Sequence, residues 1–361
     1  MGILDTIIDS HQKESLQHFE LSLIVSKILD PLKEREKVIL SKRYGLAEED
    51  IQTLKAVGEE QGLTRERVRQ IEKELLKNLK RGVQELQEFM IARDLLVATI
   101  SEHGDIMSEE SLSNYLGYTS QKDIQALRFL LKLITELEEH SSDEHIKQSW
   151  AKIGFDKQFL REFVQTTKNI LDNHGKPIHP DQFLEKFEHS EFYQSNQTQL
   201  TPKVVLNYLR ATSGVQTNPF GEVGLGHWNE IKPKDVGDKA YMVMKHHGKP
   251  EHYSVITDLI NQNGIDQRKA YKETVHNKLI KDKRFVLVGR GIYALTEWGY
   301  APGVVSDIIK DVLKEAGKPL TRDEIVEKVL EKRMVKRNTV LVGLSNKKLF
   351  KKVAKNLYDL V

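Results

Sequence analysis

The chain has 361 residues, 39% of them apolar and 30% charged, with no cysteine and a formal net charge of +2. That length holds two to four small domains, and that balance suits a soluble, helix-rich protein rather than a disordered one. The lack of cysteine excludes a disulfide framework, a zinc ribbon and a thiol nucleophile.

No apolar stretch approaches the ~20 residues needed to cross a bilayer, and no basic start with an apolar run opens the chain. A cytoplasmic, nucleoid-associated protein without membrane contact is expected. Met1-Gly2-Ile3-Leu4-Asp5-Thr6 fits the loose myristoylation pattern, which is too short to outweigh the rest. Charge is unevenly spread: residues 91–200 carry 11 basic and 18 acidic side chains, whereas 201–361 carry 29 and 18. Phosphate contact belongs with the basic segments.

In chain order, Leu32, Val38, Ile39, Leu40 and Leu46 form the apolar face of a first helix, closed by Gly45. Thr53 caps a short helix containing Leu54 and Val57, Gly58 is small where a following helix crosses closely, and Gly62 supplies a turn. Thr64 then caps a long helix with Val68, Ile71, Leu75, Leu76 and Leu79 inward at three- and four-residue steps. This is the spacing of a helix-turn-helix. The outward face carries Arg65, Glu66, Arg67, Arg69, Gln70, Lys73, Lys77, Lys80 and Arg81. From Thr64 to Arg81 seven residues are basic and three acidic. Arg suits guanine, Gln adenine and Glu the cytosine amino group in a major groove. The bland alternative is a solvated helix face of mixed charge.

Leu32–Leu40, Arg43-Tyr44-Gly45-Leu46, Thr53–Gly58 and Thr64–Glu72 together resemble region four of primary-type bacterial sigma factors. The resemblance implies a domain that reads the minus-35 promoter element and sits on the flap of the RNA polymerase beta subunit. It implies base contact by Arg65, Glu66 and Gln70, and backbone contact by Arg43, Thr64, Arg67, Arg69 and Lys73. It places Leu32 and Arg35, with the helix that follows, toward the flap. About 30 residues precede the match, Met1 to Asp30, with one aromatic, Phe19. The upstream sigma domains that melt DNA do not fit there, so the chain is not expected to open promoters alone.

Four glycines, Gly104, Gly175, Gly248 and Gly317, recur at intervals of 71, 73 and 69 residues. The last three sit in Gly-Lys-Pro, each between two amphipathic helical runs such as Val164–Leu171 and Phe183–Phe187, or Ile308–Leu313 and Ile325–Leu330. Gly ends a helix and Pro prevents its continuation. A near-constant spacing argues for a repeated domain. In the third copy, helices at Tyr253–Asn261 and Ala270–Lys281 precede Arg284–Val288 and Ile292–Leu295, two β-rich runs around Gly289-Arg290-Gly291. Three helices and a hairpin read as a winged helix. The fourth copy repeats this, with Val340–Leu344 ending a helix and Lys355-Asn356 between Phe350–Val353 and Leu357–Leu360. The second has an equivalent hairpin across Val215–Trp228, and the first reads as the most degenerate.

His247-Gly248-Lys249-Pro250, Phe285–Gly291 and Ile292–Leu295 resemble the HARE-type winged helix, found in the delta subunit of bacterial RNA polymerase and in other proteins acting on DNA or chromatin. Arg290, Lys351, Lys352 and Lys355 are then the expected wing contacts to DNA.

No Walker loop, His-Glu-x-x-His or Gly-x-Ser-x-Gly appears, and the 13 histidines are dispersed. No catalysis, metal, cofactor or small-molecule substrate is expected. The expected fold is mainly α, an N-terminal helix-turn-helix domain followed by tandem winged-helix repeats. The divisions fall at 1–88, 89–158, 159–234, 235–300 and 301–361. The first functional reading is a regulator that binds double-stranded DNA and contacts RNA polymerase core. The second is a delta-like, polymerase-associated protein-interaction module with secondary DNA contact, since a winged helix does not choose its partner by fold.

Overall fold

The computed structural model describes residues 20–46, 50–266, 268–300, 303, 305–332 and 337–361. Phe19 and the Met1–Thr6 pattern lie outside them. The fold is mainly helical with small antiparallel sheets, and divides into two compact units, residues up to Val215 and residues from Gln216. No helix among the described residues is long and apolar enough to cross a membrane.

The first unit opens with α1 (Leu21–Leu29), α2 (Glu34–Tyr44), α3 (Leu54–Gln61) and α4 (Arg65–Gly82). Their ends follow from local chemistry. The Lys33 backbone N–H donates to the Glu36 carboxylate at 3.0 Å, closing the start of α2. Gly45 and Gly62 end α2 and α3 in the left-handed region, at φ 67° and 63°, where a side chain is strained. Thr53 and Thr64 each accept a backbone N–H from three residues on, at 3.2 Å. Ile39, Val57 and Val68, all nearly fully buried, pin the three helices together.

Next come α5 (Gln87–Glu102), β1 (Ile106–Ser108), α6 (Glu109–Leu116), α7 (Gln121–Leu133), β2 (Leu137–His140) and β3 (Ser149–Lys152). The strands form an antiparallel sheet in the order β1-β3-β2, with Ile106 opposite Ala151 and Leu137 opposite Lys152. The apolar core crosses residue 88 without a break. Leu40, Tyr44, Leu75 and Leu79 belong to the same buried cluster as Phe89, Leu96, Phe129 and Trp150. Tyr44 and Phe129 meet edge to face at 5.2 Å between ring centres.

The unit ends with α8 (Lys157–His174), α9 (Pro180–Glu188), α10 (Glu191–Ser195) and α11 (Pro202–Ala211). Their core is aromatic, with Phe163 against Phe187 at 4.8 Å and against Tyr208 at 5.2 Å. Helix α11 is stitched to the preceding segment. Buried Asn207 donates its amide to the carbonyls of His103 and Ile106 at 2.7 and 2.6 Å. The Tyr208 hydroxyl donates to the Gly104 carbonyl at 2.6 Å. A Cβ on Gly104 would sit 2.7 Å from Val204, so this glycine serves both a positive φ of 87° and a close approach.

At the junction and in the second unit lie β4 (Val215–Thr217), β5 (Val223–Leu225), α12 (Val236–His247), β6 (Glu251–His252), α13 (Tyr253–Gln262), α14 (Lys272–Lys281), β7 (Phe285–Gly289) and β8 (Ile292–Leu295). The chain closes with α15 (Val305–Ala316), β9 (Leu320–Thr321), α16 (Arg322–Lys332), α17 (Arg337–Leu344), β10 (Phe350–Ala354) and β11 (Leu357–Leu360). The sheets run β6-β8-β7 and β10-β11-β9.

The order helix, strand, helix, helix, strand, strand therefore occurs three times, starting at α5, α12 and α15. In each the last strand is central. The segment that departs is the one starting at α8. Among its described residues it has no strand after its first helix and an added short helix, α10. The first repeat, expected to be the most degenerate, has the complete order; its strands are too short for alternation to register. Gly104, Gly175, Gly248 and Gly317 all have positive φ, from 60° to 87°. The third helix of the α12 repeat starts at Lys272, not at Ala270, which precedes the N-cap Tyr271.

Candidate nucleic-acid interface

The helix-turn-helix is α3, the Gly62 turn and α4. A Cβ on Gly58 would lie 2.7 Å from the Leu63 carbonyl oxygen. What approaches Gly58 closely is thus the turn backbone, rather than a crossing helix. The Gly58 carbonyl accepts the N–H of Leu63 at 2.8 Å, which fixes the turn that aims α4.

Val68, Leu75 and Leu79 turn inward on α4, with Ile71 and Leu76 half-buried. Arg65, Glu66, Arg67, Arg69, Gln70, Lys73, Lys77 and Arg81 are exposed, and Lys80 is partly covered. The expected base-reading residues Arg65, Glu66 and Gln70 are therefore all open to solvent, as are Thr64, Arg67, Arg69 and Lys73.

Some of these side chains are tied to one another. Arg69 grips Glu66 with two nitrogens at 2.9 and 2.6 Å. The hydrogen bond from Arg69 holds the Glu66 carboxyl below its usual range, and Glu66 in turn raises Arg69. Arg67 donates to the Gln70 carbonyl oxygen at 3.3 Å. Both residues of each pair point into the same solvent. An exposed pair of this kind is worth little in the free protein and is readily exchanged for a stronger partner.

Arg43 sits differently. Its Nε donates to Glu72 at 2.9 Å and it also donates to the Gln52 carbonyl, with its side chain 21% exposed. Tyr44 donates to the other Glu72 oxygen at 2.9 Å, and burial followed by the Glu72 charge pushes its hydroxyl pKa up. Glu72 thereby anchors two residues of α2 to α4. The sequence contains Glu72, but nothing local marks it, because its partners are about 28 residues away.

Arg35 donates to the Gln61 carbonyl at 2.6 Å, so it closes the C-terminus of α3. Leu32 is half-buried against the large core cluster. In the second unit Arg290 is exposed in the turn between β7 and β8. Lys351 and Lys352 are exposed on the outer strand β10, and Lys355 in the turn after it.

Residues 28–81 match the family model for Sigma-70, region 4. RNA polymerase sigma factor RpoD of Helicobacter pylori is 38% identical over 80 residues, which is 21% of this chain and 12% of that protein. RNA polymerase sigma factor sigB of Arabidopsis thaliana is 42% identical over 72 residues, 19% of this chain and 12% of that protein. RNA polymerase sigma factor RpoS of Coxiella burnetii is 37% identical over 82 residues, 22% of this chain and 23% of that protein. The chain thus covers at most 23% of the length of these three relatives. Residues 28–81 are a Sigma-70 region 4 domain carrying a helix-turn-helix.

Proposed function

We propose that this chain is a transcription regulator that lays α4 in the major groove of minus-35-type promoter DNA and contacts RNA polymerase. The carrying observation is that Arg65, Glu66 and Gln70 are all open to solvent on α4, a helix capped by Thr64 and anchored by buried Val68, Leu75 and Leu79. In this reading Arg65 and Gln70 read purine edges and Glu66 accepts from cytosine. Thr64, Arg67, Arg69 and Lys73 follow the phosphates. Arg43, already engaged by Glu72, reaches a phosphate only with its remaining nitrogen.

Arg65→Ala, Glu66→Ala and Gln70→Ala should each relax sequence preference, by roughly 1–3 kcal/mol for a good bidentate contact. Lys73→Ala should weaken binding to all duplexes alike and flatten its salt dependence. Competition binding with mutated duplexes measures both. Wild-type preference in the first three variants, with unchanged affinity in the fourth, would show that α4 is not the reading helix.

We read the repeats at α5, α12 and α15 as HARE-type winged helices, a reading supported by their shared element order and central last strand. In the second unit Arg290, Lys351, Lys352 and Lys355 serve as wing contacts, because Lys and Arg at exposed turns and edges displace counterions from phosphate. Reversing all four to Glu should reduce the log–log salt slope of the full chain by about 0.9 per lost phosphate contact. An unchanged slope favours the delta-like reading, in which the repeats hold protein and DNA contact is secondary. In the first repeat the third helix, α7, is buried within this chain and so does not offer a face to DNA.

A further inference from the structure

The third helix of each complete repeat occupies an equivalent place, just before the hairpin, yet its surroundings differ. On α14, Lys272, Asn277, Ile280 and Lys281 are exposed. On α17, Val342 is 70% exposed. On α7, by contrast, Gln125, Ala126, Leu127, Phe129, Leu130, Leu131 and Leu133 are all buried. A helix covered on that much of its circumference has neighbours on more than one side. On one side are α6 and β2 of its own repeat. On the other are α1, most of which precedes the region 4 match, and α2 and α4 within it.

The second contact is apolar and specific. Phe129 meets the Tyr44 ring, and Tyr44 is in turn fixed through its hydroxyl to Glu72 of α4. Leu21 and Leu40, both fully buried, line the same cluster. Helices α1, α2 and α4 therefore form a groove that holds an apolar helix, and a helix of this chain lies in it.

We propose that α7 is an internal ligand that masks a helix-binding groove formed by α1, α2 and α4, closing it to apolar helices of partner proteins. The masking rests on the packing of α7; the identity of the masked partner, a helix of the polymerase beta flap, rests on the polymerase contact proposed above. When a site is filled in cis, a partner's apparent affinity falls by the fraction of molecules in which the site is open. Contacts that loosen α7 therefore tighten partner binding.

The test uses the full chain and two milder core changes on opposite sides of the contact, Phe129→Leu and Tyr44→Leu, each checked by circular dichroism for retained fold. The probes are a fluorescent peptide of the α7 sequence, residues 119–136, and an isolated beta-flap fragment. The peptide should bind at least one loosened variant about tenfold more tightly than the wild type. Its binding should also protect α1 and α2 amides from hydrogen exchange. Failure to bind any of the three chains, or equal binding to all, overturns the masking. Flap binding confined to the loosened variants supports both masking and the polymerase partner. Peptide binding without flap binding keeps the masking and removes polymerase as the partner. Equal flap affinity for wild type and variants, with α7 amides still protected, overturns the masking and keeps the polymerase contact.

Discussion

A Gly58→Val variant is expected to lose duplex binding along with at least about 1–3 kcal/mol of stability, the usual cost of overfilling a packed site. The neighbour is what makes the position intolerant. A Cβ there would lie 2.7 Å from the Leu63 carbonyl oxygen, which is backbone and cannot rotate away. To make room, the turn must open. Opening it breaks the 2.8 Å bond from Leu63 to the Gly58 carbonyl and displaces the Thr64 cap. The first turn of α4, with Arg65 and Glu66, then loses its aim. A thermal melt and a binding titration on one duplex check this together. Wild-type values in both would mean that the turn has slack not evident from its geometry.

The second large effect is expected from Phe129→Ala, at about 3–5 kcal/mol for a large aromatic removed from a core. Phe129 is fully buried and lies within a cluster that runs from Leu21 to Trp150. The loss should therefore be felt on both sides of residue 88. Hydrogen exchange is the discriminating measurement, because it reports opening segment by segment. Amides of α4 should lose protection together with those of α7. If only α5–α7 become labile and α4 keeps its protection, the region 4 domain is stable by itself and the shared cluster is an adhesion of two independent cores.

What the sequence made legible was local. Thr53 and Thr64 announce the starts of α3 and α4, and Gly45 and Gly62 announce the ends of α2 and α3, because a cap depends on residues within one turn. The four spaced glycines are legible for the same reason, and each has the positive φ its position demands. The face of α4 follows from periodicity alone. Less was visible where partners are distant. β1 has three residues and pairs with β3 more than 40 positions later, so no alternation could be read from it. Nothing local to Phe129 marks the α2 side chain that it meets, Tyr44. The Arg43–Glu72 pair joins a residue expected at the phosphate backbone to one with no expected role, and only the fold brings them together. Arg69 and Glu66 are three apart on one helix, so their pairing was accessible in principle from i,i+3 geometry.

The continuity of the first unit also bears on orientation. If α4 lies in a groove, the described residues packed with it in the first unit, up to Val215, are carried with it around the duplex axis. The segment so carried, residues 91–200, has 18 acidic and 11 basic side chains and is repelled by phosphate. Its place is then on the side of the duplex that the seat of α4 dictates. B-form DNA turns once in about 10.5 base pairs, so moving such a site by about five swings that acidic segment to the opposite side. Any protein that meets it while bound to neighbouring DNA then experiences distance in helical phase rather than in length alone.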